Sequence, residues 1–185
     1  MNKQMKLSEH LASPSVATLS QTNKFDGVRL SPHFSLGEMT KTSYHTKDGN
    51  IPPRTAIENL KRLCEGWLED LRYSYNTLYC LEPGDDYATS KKVEPVIINS
   101  AYRSEEVNER CGGSRTSNHL TGCAADIRCL GPEQMIRYAA ILLDIADGTK
   151  RDWDELLMEK RGTTYWIHFA VRPEGNRRRI TFDMR

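Results

Sequence analysis

Two long stretches of the chain repeat apolar residues at the spacing of one helix face. From Thr55 onward the apolar positions follow the i, i+3, i+4, i+7 rule, which predicts an amphipathic helix over 55–73. A second helix is predicted over 132–145, because Pro132 suits a first helical position and Asp147-Gly148 suits the end. Turn-forming residues over 76–92 predict a loop after the first of these helices.

Two shorter helices are predicted from their capping residues. Ser35 suits the N-cap of a brief helix, and Glu38, three residues later, would complete a capping box. A helix over 104–110 is expected to stop before Gly112-Gly113.

Short apolar and β-branched runs predict the strands of a small sheet. The predicted strands are 93–100, 123–129, 155–160, 165–171 and 179–183. The third and fourth are separated by 161–164 and should form a β-hairpin. Helices and strands together predict an α+β fold, with helices packed on a small, mainly antiparallel sheet.

The composition is that of a globular chain. Its 185 residues carry 26 Lys+Arg against 25 Asp+Glu, for a formal net charge of +1, and 38% are hydrophobic. This length suits one domain, which we place at 30–185 after an N-terminal extension at 1–29. The near-zero charge argues against binding nucleic acid by bulk electrostatics. No apolar run approaches the ~20 residues that span a bilayer.

The five cysteines fit neither a complete disulfide framework nor an all-cysteine zinc site. Their number is odd, and no two form a CxxC pair. We expect reduced thiols in a cytoplasmic protein, several packed as small apolar residues; one local disulfide stays open. The first 20 residues also lack the continuous apolar core of a secretory signal peptide, so synthesis in the cytoplasm is expected.

His119, Asp126 and His168 are the candidate ligands of a metal ion. His119 and Asp126 lie seven residues apart, with Gly122 between them to let the backbone fold back. His168 lies on the second strand of the predicted hairpin. Two imidazoles and one carboxylate leave zinc an open position for water, as in hydrolytic zinc sites. Taken alone, the trio is a weak signal.

A wider set of motifs occurs in one order around these residues. It consists of N-S-A-Y-R-S at 99–104, Asn108, Gly112-Gly113, S-x-H-x-x-G-x-A-x-D at 117–126 and W-x-H at 166–168. Together the motifs resemble the M15 peptidase family, the zinc D-alanyl-D-alanine carboxypeptidases and related phage endolysins, particularly its third subfamily. The resemblance spans about 30–171 and includes the opening segment L-S-P-H-F-S-L-G-E-M. It implies a fold like that of hedgehog and the D-Ala-D-Ala peptidases.

The resemblance implies that His119, Asp126 and His168 bind one Zn²⁺. It also implies that Arg103 receives a carboxylate or carbonyl of a peptidoglycan stem peptide, a task that suits the planar guanidinium. The alternative for Arg103 is a solvated charge at a helix start. Ser117 would bind substrate and shape the loop that presents His119, or else serve as an ordinary turn or cap residue.

The general base is where this sequence departs from better-known family members. They carry a carboxylate three residues before the last zinc ligand, where this chain has Tyr165. Glu159 is the candidate instead. If 161–164 form the hairpin loop, Glu159 opposes Trp166 and shares the face of His168, at a diagonal distance of about 7–8 Å. A slip of one residue would turn Glu159 to the other face and leave it an ordinary hairpin charge.

These assignments predict a zinc-dependent peptidase that hydrolyses peptide bonds in peptidoglycan stem peptides, as a D-Ala-D-Ala carboxypeptidase or an endolysin-type endopeptidase. Glu159 would move the proton, and Arg103 would stabilise the oxyanion. We expect a monomer that has no nucleic-acid or membrane partner and acts on the cell wall, of phage or prophage origin. The alternative is a catalytically silent M15-like domain that binds cell wall or belongs to a virion. The basic tail 177–179 is expected to be a solvated turn.

Overall fold

The computed structural model describes Phe25 and residues 27–184. The helices are α1 (Leu36–Met39), α2 (Arg54–Leu63), α3 (Glu69–Tyr79), α4 (Glu105–Arg110) and α5 (Pro132–Thr149), with a π-helical turn at Cys64–Leu68 and a 3₁₀ helix at Asn118–Thr121. The strands are β1 (Ile98–Ser100), β2 (Ala124–Cys129), β3 (Glu155–Arg161), β4 (Thr164–Ala170) and β5 (Arg179–Met184). Most of the predicted extension at 1–29 lies outside the described residues, and its boundary stays a prediction.

The first long helix is confirmed, and it continues past its predicted end. α2, the π turn and α3 follow one another without a break from Arg54 to Tyr79, so the loop predicted from residue 76 is wrong at its start. Tyr75 is buried and extends the apolar stripe by one more turn. The buried Asn76 side chain accepts a hydrogen bond from the Glu94 backbone N–H at 2.6 Å, which no local pattern reveals.

The second long helix also ends later than predicted, at Thr149. Asp147-Gly148 lies inside the helix, because buried Ala146 still packs on the core. The Thr149 hydroxyl donates to the Ile145 carbonyl at 2.6 Å. Lys150 then takes a left-handed conformation, with φ of 58°, and supplies the stop expected of the glycine. Both predicted short helices are confirmed, with Ser35 and Ser104 as their N-caps.

The five strands form one sheet in the order β1-β2-β4-β3-β5. Neighbouring strands are antiparallel except β3 and β5, which run parallel. The predicted α+β fold with a mainly antiparallel sheet is therefore confirmed. Within the described part of the chain, no helix is long and apolar enough to cross a membrane.

The strand predicted over 93–100 is much shorter in the structure. Only Ile98–Ser100 pairs with β2. The preceding residues form a loop, because the backbone of Glu94 bonds to the Asn76 side chain and Pro95 has no N–H to donate to a ladder.

The hairpin has the predicted register but a tighter turn. Lys160 faces Tyr165, and Glu159 faces Trp166, as expected. The pairing continues to Arg161 and Thr164, so the loop contains two residues rather than four. Gly162 permits this turn with a φ of 60°.

The two faces of the sheet differ in what they contact. On one face, Ile167 and Phe169 are fully buried against the helices, and the rings of Phe169 and Trp67 lie 5.0 Å apart. Side chains alternate along each strand, so Asp126 and His168 point to the opposite face. The helices therefore pack on one face of the sheet and leave the other face available for a site.

All five cysteines lie in the described part of the chain and are free thiols. Cys64, Cys123 and Cys129 are buried, in agreement with their expected role as small apolar residues. Burial raises the pKa of the Cys129 thiol to about 12, so it stays protonated at neutral pH.

Gly122 is required where the 3₁₀ helix meets α2. Its φ is 69°, and a Cβ placed there would lie 2.5 Å from the Ala56 carbonyl oxygen in the backbone of α2. We therefore expect Gly122→Ala to lower the free energy of unfolding by about 3 kcal/mol or more. The measurement is thermal unfolding followed by circular dichroism. Gly148→Ala is the matched control, since among the described residues no atom beyond its own helix and chain neighbours lies within 4 Å of the added Cβ. Equal midpoints for the two variants would contradict this assignment.

Candidate metal centre

Three side chains from three elements converge on one point. His119 comes from the 3₁₀ helix, Asp126 from β2 and His168 from β4. The His119 Nε2 lies 3.2 Å from Asp126 Oδ1 and 3.1 Å from His168 Nδ1, and His168 Nδ1 lies 3.0 Å from Asp126 Oδ1. One nitrogen or oxygen atom of each residue thus lies within 4.8 Å of the others. The sequence-based grouping of these residues agrees with this geometry.

The local sequence explains how each ligand is presented. Ser117 caps the 3₁₀ helix by accepting a hydrogen bond from the His119 backbone N–H at 3.3 Å. Gly122 then reverses the chain into β2, which takes Asp126 to a position directly opposite His168 in the antiparallel register. Ser117 thus shapes the loop before His119, and its proposed substrate contact stays a prediction.

The His119 imidazole is held in a defined tautomer. Its Nδ1 lies 2.5 Å from the Ala101 carbonyl oxygen. A carbonyl only accepts, so Nδ1 must carry the proton and Nε2 presents its lone pair to the cluster. This orientation is the one a metal ligand needs.

Burial and mutual charge set the protonation of the cluster. His119 is 2% exposed, and Asp126 and His168 are 8% exposed. Burial lowers the pKa of His119 despite the attraction of Asp126. Burial opposes ionisation of Asp126, but the two histidines outweigh it and hold its pKa well below the usual range. Burial also disfavours an imidazolium at His168, yet hydrogen bonds to Asp126 and Glu155 raise its pKa to about 9.

The donor set fits Zn²⁺. Two imidazole nitrogens and one carboxylate oxygen are the ligand types and the number found in catalytic zinc sites. The low pKa of Asp126 provides a carboxylate ligand at neutral pH, and a bound cation would replace the proton that His168 otherwise carries.

Arg103 lies beside the cluster rather than in solvent. Its Nη2 contacts Asp126 Oδ2, and its Nε donates to the Ser100 hydroxyl at 2.8 Å. Its backbone N–H also donates to the His119 carbonyl at 3.1 Å. The guanidinium side chain is 16% exposed, so the alternative interpretation as a solvated charge is wrong.

Glu159 lies on the site face of β3, in the register that the sequence predicts. It is half-buried, lines the same cavity as His168, and its Oε2 accepts from the Trp166 indole N–H at 2.8 Å. Burial and the negative charge of Asp126 raise its pKa. Tyr165 packs instead against the hydrophobic core, so it cannot replace the carboxylate that better-known members carry at this position.

The cluster opens into a polar cavity of about 450 Å³. Four arginines line it together with two glutamates: Arg103, Arg161, Arg177, Arg179, Glu155 and Glu159. Such a lining suits a ligand that carries carboxylates and peptide groups, because guanidinium groups bind both.

A second set of charged residues, which no motif indicates, lies beside the cluster. Glu155 is buried and contacts His168, and Asp154 is buried and binds Arg177 at 2.7 Å. The predicted solvated turn over 177–179 is correct only in part, because Arg177 is exposed but pairs with Asp154 and Glu155, and Arg179 begins β5. Arg178 lies near surface carboxylates at 3.6 Å or more. The available signal was spacing: Glu155 and Glu159 are four residues apart, on one face of a predicted strand.

Part of this site lies in a segment that matches a known protein family. Residues 87–148, about a third of the chain, match the family Peptidase M15. The match includes Arg103, His119 and Asp126, and it confirms the family resemblance inferred from the motifs. Among curated proteins, none matches the sequence significantly.

Proposed function

We propose that this chain, with its M15 peptidase segment at 87–148, is a zinc-dependent peptidase that hydrolyses peptide bonds in peptidoglycan stem peptides. The observation that carries the proposal is the convergence of His119, Asp126 and His168 at the floor of a cavity that also contains Glu159. The family match implies a peptidase, and the two histidines and aspartate are the donor set of a hydrolytic zinc site.

Glu159 is the proposed general base. A Zn²⁺ ion at the cluster would supply Lewis-acid polarisation of the scissile carbonyl and lower the pKa of an attacking water. Glu159 accepts the proton of that water and returns it to the leaving amine. Burial and the negative charge of Asp126 raise its pKa, which makes this carboxylate a stronger base than an exposed glutamate. The Trp166 indole N–H fixes the carboxylate in place.

Arg103 is the proposed electrophilic partner. Its contacts with Asp126 and Ser100 hold the guanidinium at the cavity floor, and a guanidinium has five N–H donors in total. Further donors can therefore stabilise the negative charge that develops on the substrate carbonyl. The same group would bind a terminal carboxylate if the enzyme is a carboxypeptidase.

The charge of the cavity supports a stem peptide as substrate. Stem peptides carry free carboxylates, and Arg161, Arg177 and Arg179 line the cavity beyond the cluster. Arg161 lies at the hairpin turn and is exposed, so it is accessible to an incoming chain. Arg177 and Arg179 are paired with Asp154 and Glu155, so Arg161 is the cavity arginine that is proposed to favour an anionic peptide.

The experiment is hydrolysis of purified peptidoglycan by the zinc-loaded protein. Release of free amino groups is expected, lost on chelation and restored by stoichiometric Zn²⁺. Mass spectrometry of the products identifies the bond, since free D-alanine marks a carboxypeptidase and larger fragments mark an endopeptidase. Zinc-loaded protein that binds the wall but releases no amine would overturn the proposal and support the silent, wall-binding alternative.

A further inference from the structure

We propose that Glu155 is a positioning residue of the metal centre, which orients His168 by binding its outer nitrogen. This inference rests on the proposed zinc site. The two nitrogens of His168 face different partners: Nδ1 lies 3.0 Å from Asp126 Oδ1, whereas Nε2 lies 3.5 Å from Glu155 Oε2. Nδ1 therefore belongs to the metal cluster, and Nε2 points toward a carboxylate.

The carboxylate determines which nitrogen of His168 carries the proton. A carboxylate is an acceptor, so the neutral imidazole beside it places its proton on Nε2 and its lone pair on Nδ1. His119 has the same arrangement with the Ala101 carbonyl as acceptor. Each histidine in the cluster thus has an oxygen atom next to the ring nitrogen that faces away from the cluster. Such outer partners set the orientation and basicity of metal-ligating histidines.

Glu155 is itself held in place from two sides. It is 9% exposed. Its Oε2, the oxygen near His168, also accepts from Asn118 Nδ2 at 3.1 Å. Its Oε1 lies 2.8 Å from Arg177 Nη2 and 3.4 Å from Arg179 Nη1. These contacts leave the carboxylate little freedom to turn away from the imidazole.

Glu155 and Glu159 lie on the same strand face but at different places relative to His168. Leu157 is directly opposite His168 in the register, so the two glutamates lie on either side of it along β3. Glu155 contacts the outer nitrogen, and Glu159 contacts Trp166. One glutamate therefore acts on a metal ligand, while the other is available to the substrate.

The arrangement couples the metal centre to the connection before β5. Arg177 binds Asp154 and Glu155, and Asp154 in turn accepts from Asn118, the neighbour of His119. Residues beyond the matched segment at 87–148 thus contribute to the orientation of both histidines.

The test is the zinc affinity of the full-length chain, measured by competition with a chromophoric chelator. Glu155→Gln keeps the size of the side chain and removes its charge, and we expect zinc binding to weaken by about 10- to 100-fold. Glu133→Gln, on the exposed side of α5, is the matched control and should bind zinc like the wild type. Arg177→Gln should weaken binding as well, and its neighbour Arg178→Gln should leave it unchanged.

Imidazole ¹⁵N spectra of the wild-type zinc complex provide a second readout, which does not depend on the folding of a variant. A His168 tautomer protonated at Nε2 supports the assignment, and one protonated at Nδ1 overturns it. Folded Glu155→Gln with wild-type zinc affinity overturns it too. A wild-type chain that binds no zinc overturns the proposed function itself. Zinc binding without amide hydrolysis would contradict only the proposed peptidase activity and would not affect the proposed role of Glu155.

Discussion

We expect His119→Ala to abolish the proposed zinc binding and peptide hydrolysis together. The substitution removes one of three ligands and leaves a small cavity lined by Asp126 and His168, which cannot hold zinc as a pair. We expect the affinity for zinc to fall by more than the roughly 100-fold that follows loss of a supporting residue. Mass spectrometry of metal content, with amine release from peptidoglycan in parallel, measures both quantities.

His45→Ala is the matched control for this experiment, since His45 is exposed. It should retain one zinc per chain and full amine release. A His119→Ala protein that keeps its zinc would contradict the ligand assignment, whatever its activity.

We expect the opposite result for Glu159→Gln, in which zinc should be retained and turnover should be lost. The amide keeps the hydrogen-bond acceptor for Trp166 but cannot take a proton from water. Loss of a general base costs about 10²- to 10⁴-fold in rate. We expect the loss in kcat, with little change in KM, when a soluble stem peptide is used as substrate.

Glu155→Gln is the informative comparison for Glu159→Gln. Excess zinc should restore the activity of Glu155→Gln, whereas it should restore nothing in Glu159→Gln. Full turnover by zinc-loaded Glu159→Gln would contradict the assignment of the base and leave the peptidase proposal in need of another proton acceptor.

The parts of the fold that could be predicted from the sequence are those governed by local periodicity. The hairpin is an example, because two apolar runs separated by a glycine-containing turn predict it. The pairing of Glu159 with Trp166 was predicted on the assumption that 161–164 form the loop, and the structure has this register with a shorter loop. The long helix was predictable for the same reason, from its apolar stripe.

The ends of these elements depend on contacts between distant residues, and they were missed. Asn76 continues α3 and holds the backbone of Glu94, 18 residues away, in a loop where the β-branched run predicts a strand. Lys150 ends α5 with a left-handed backbone that glycine was expected to supply. Side-chain bonds of this kind have no period, so a pattern along the chain does not reveal them.

The site was predictable where a motif covers it and unpredictable where the topology completes it. His119, Asp126 and His168 were identified from motifs, and the structure brings them together. Arg177 reaches Glu155 because β5 pairs in parallel with β3, and no feature of the residues at 172–179 indicates that pairing. The contacts of Asp154 and Glu155 with the arginines could therefore be found only from the three-dimensional structure.

The three ligands differ in how firmly the fold holds them, and this has a kinetic consequence. Asp126 and His168 lie on β2 and β4, adjacent inner strands of the sheet, and such strands open only when much of the domain unfolds. His119 lies on a four-residue 3₁₀ helix outside the sheet, so its release does not require the strands to separate. If zinc binds as proposed, metal exchange should therefore proceed by release of His119 first, and the lifetime of the ion should depend on this helix more than on the sheet.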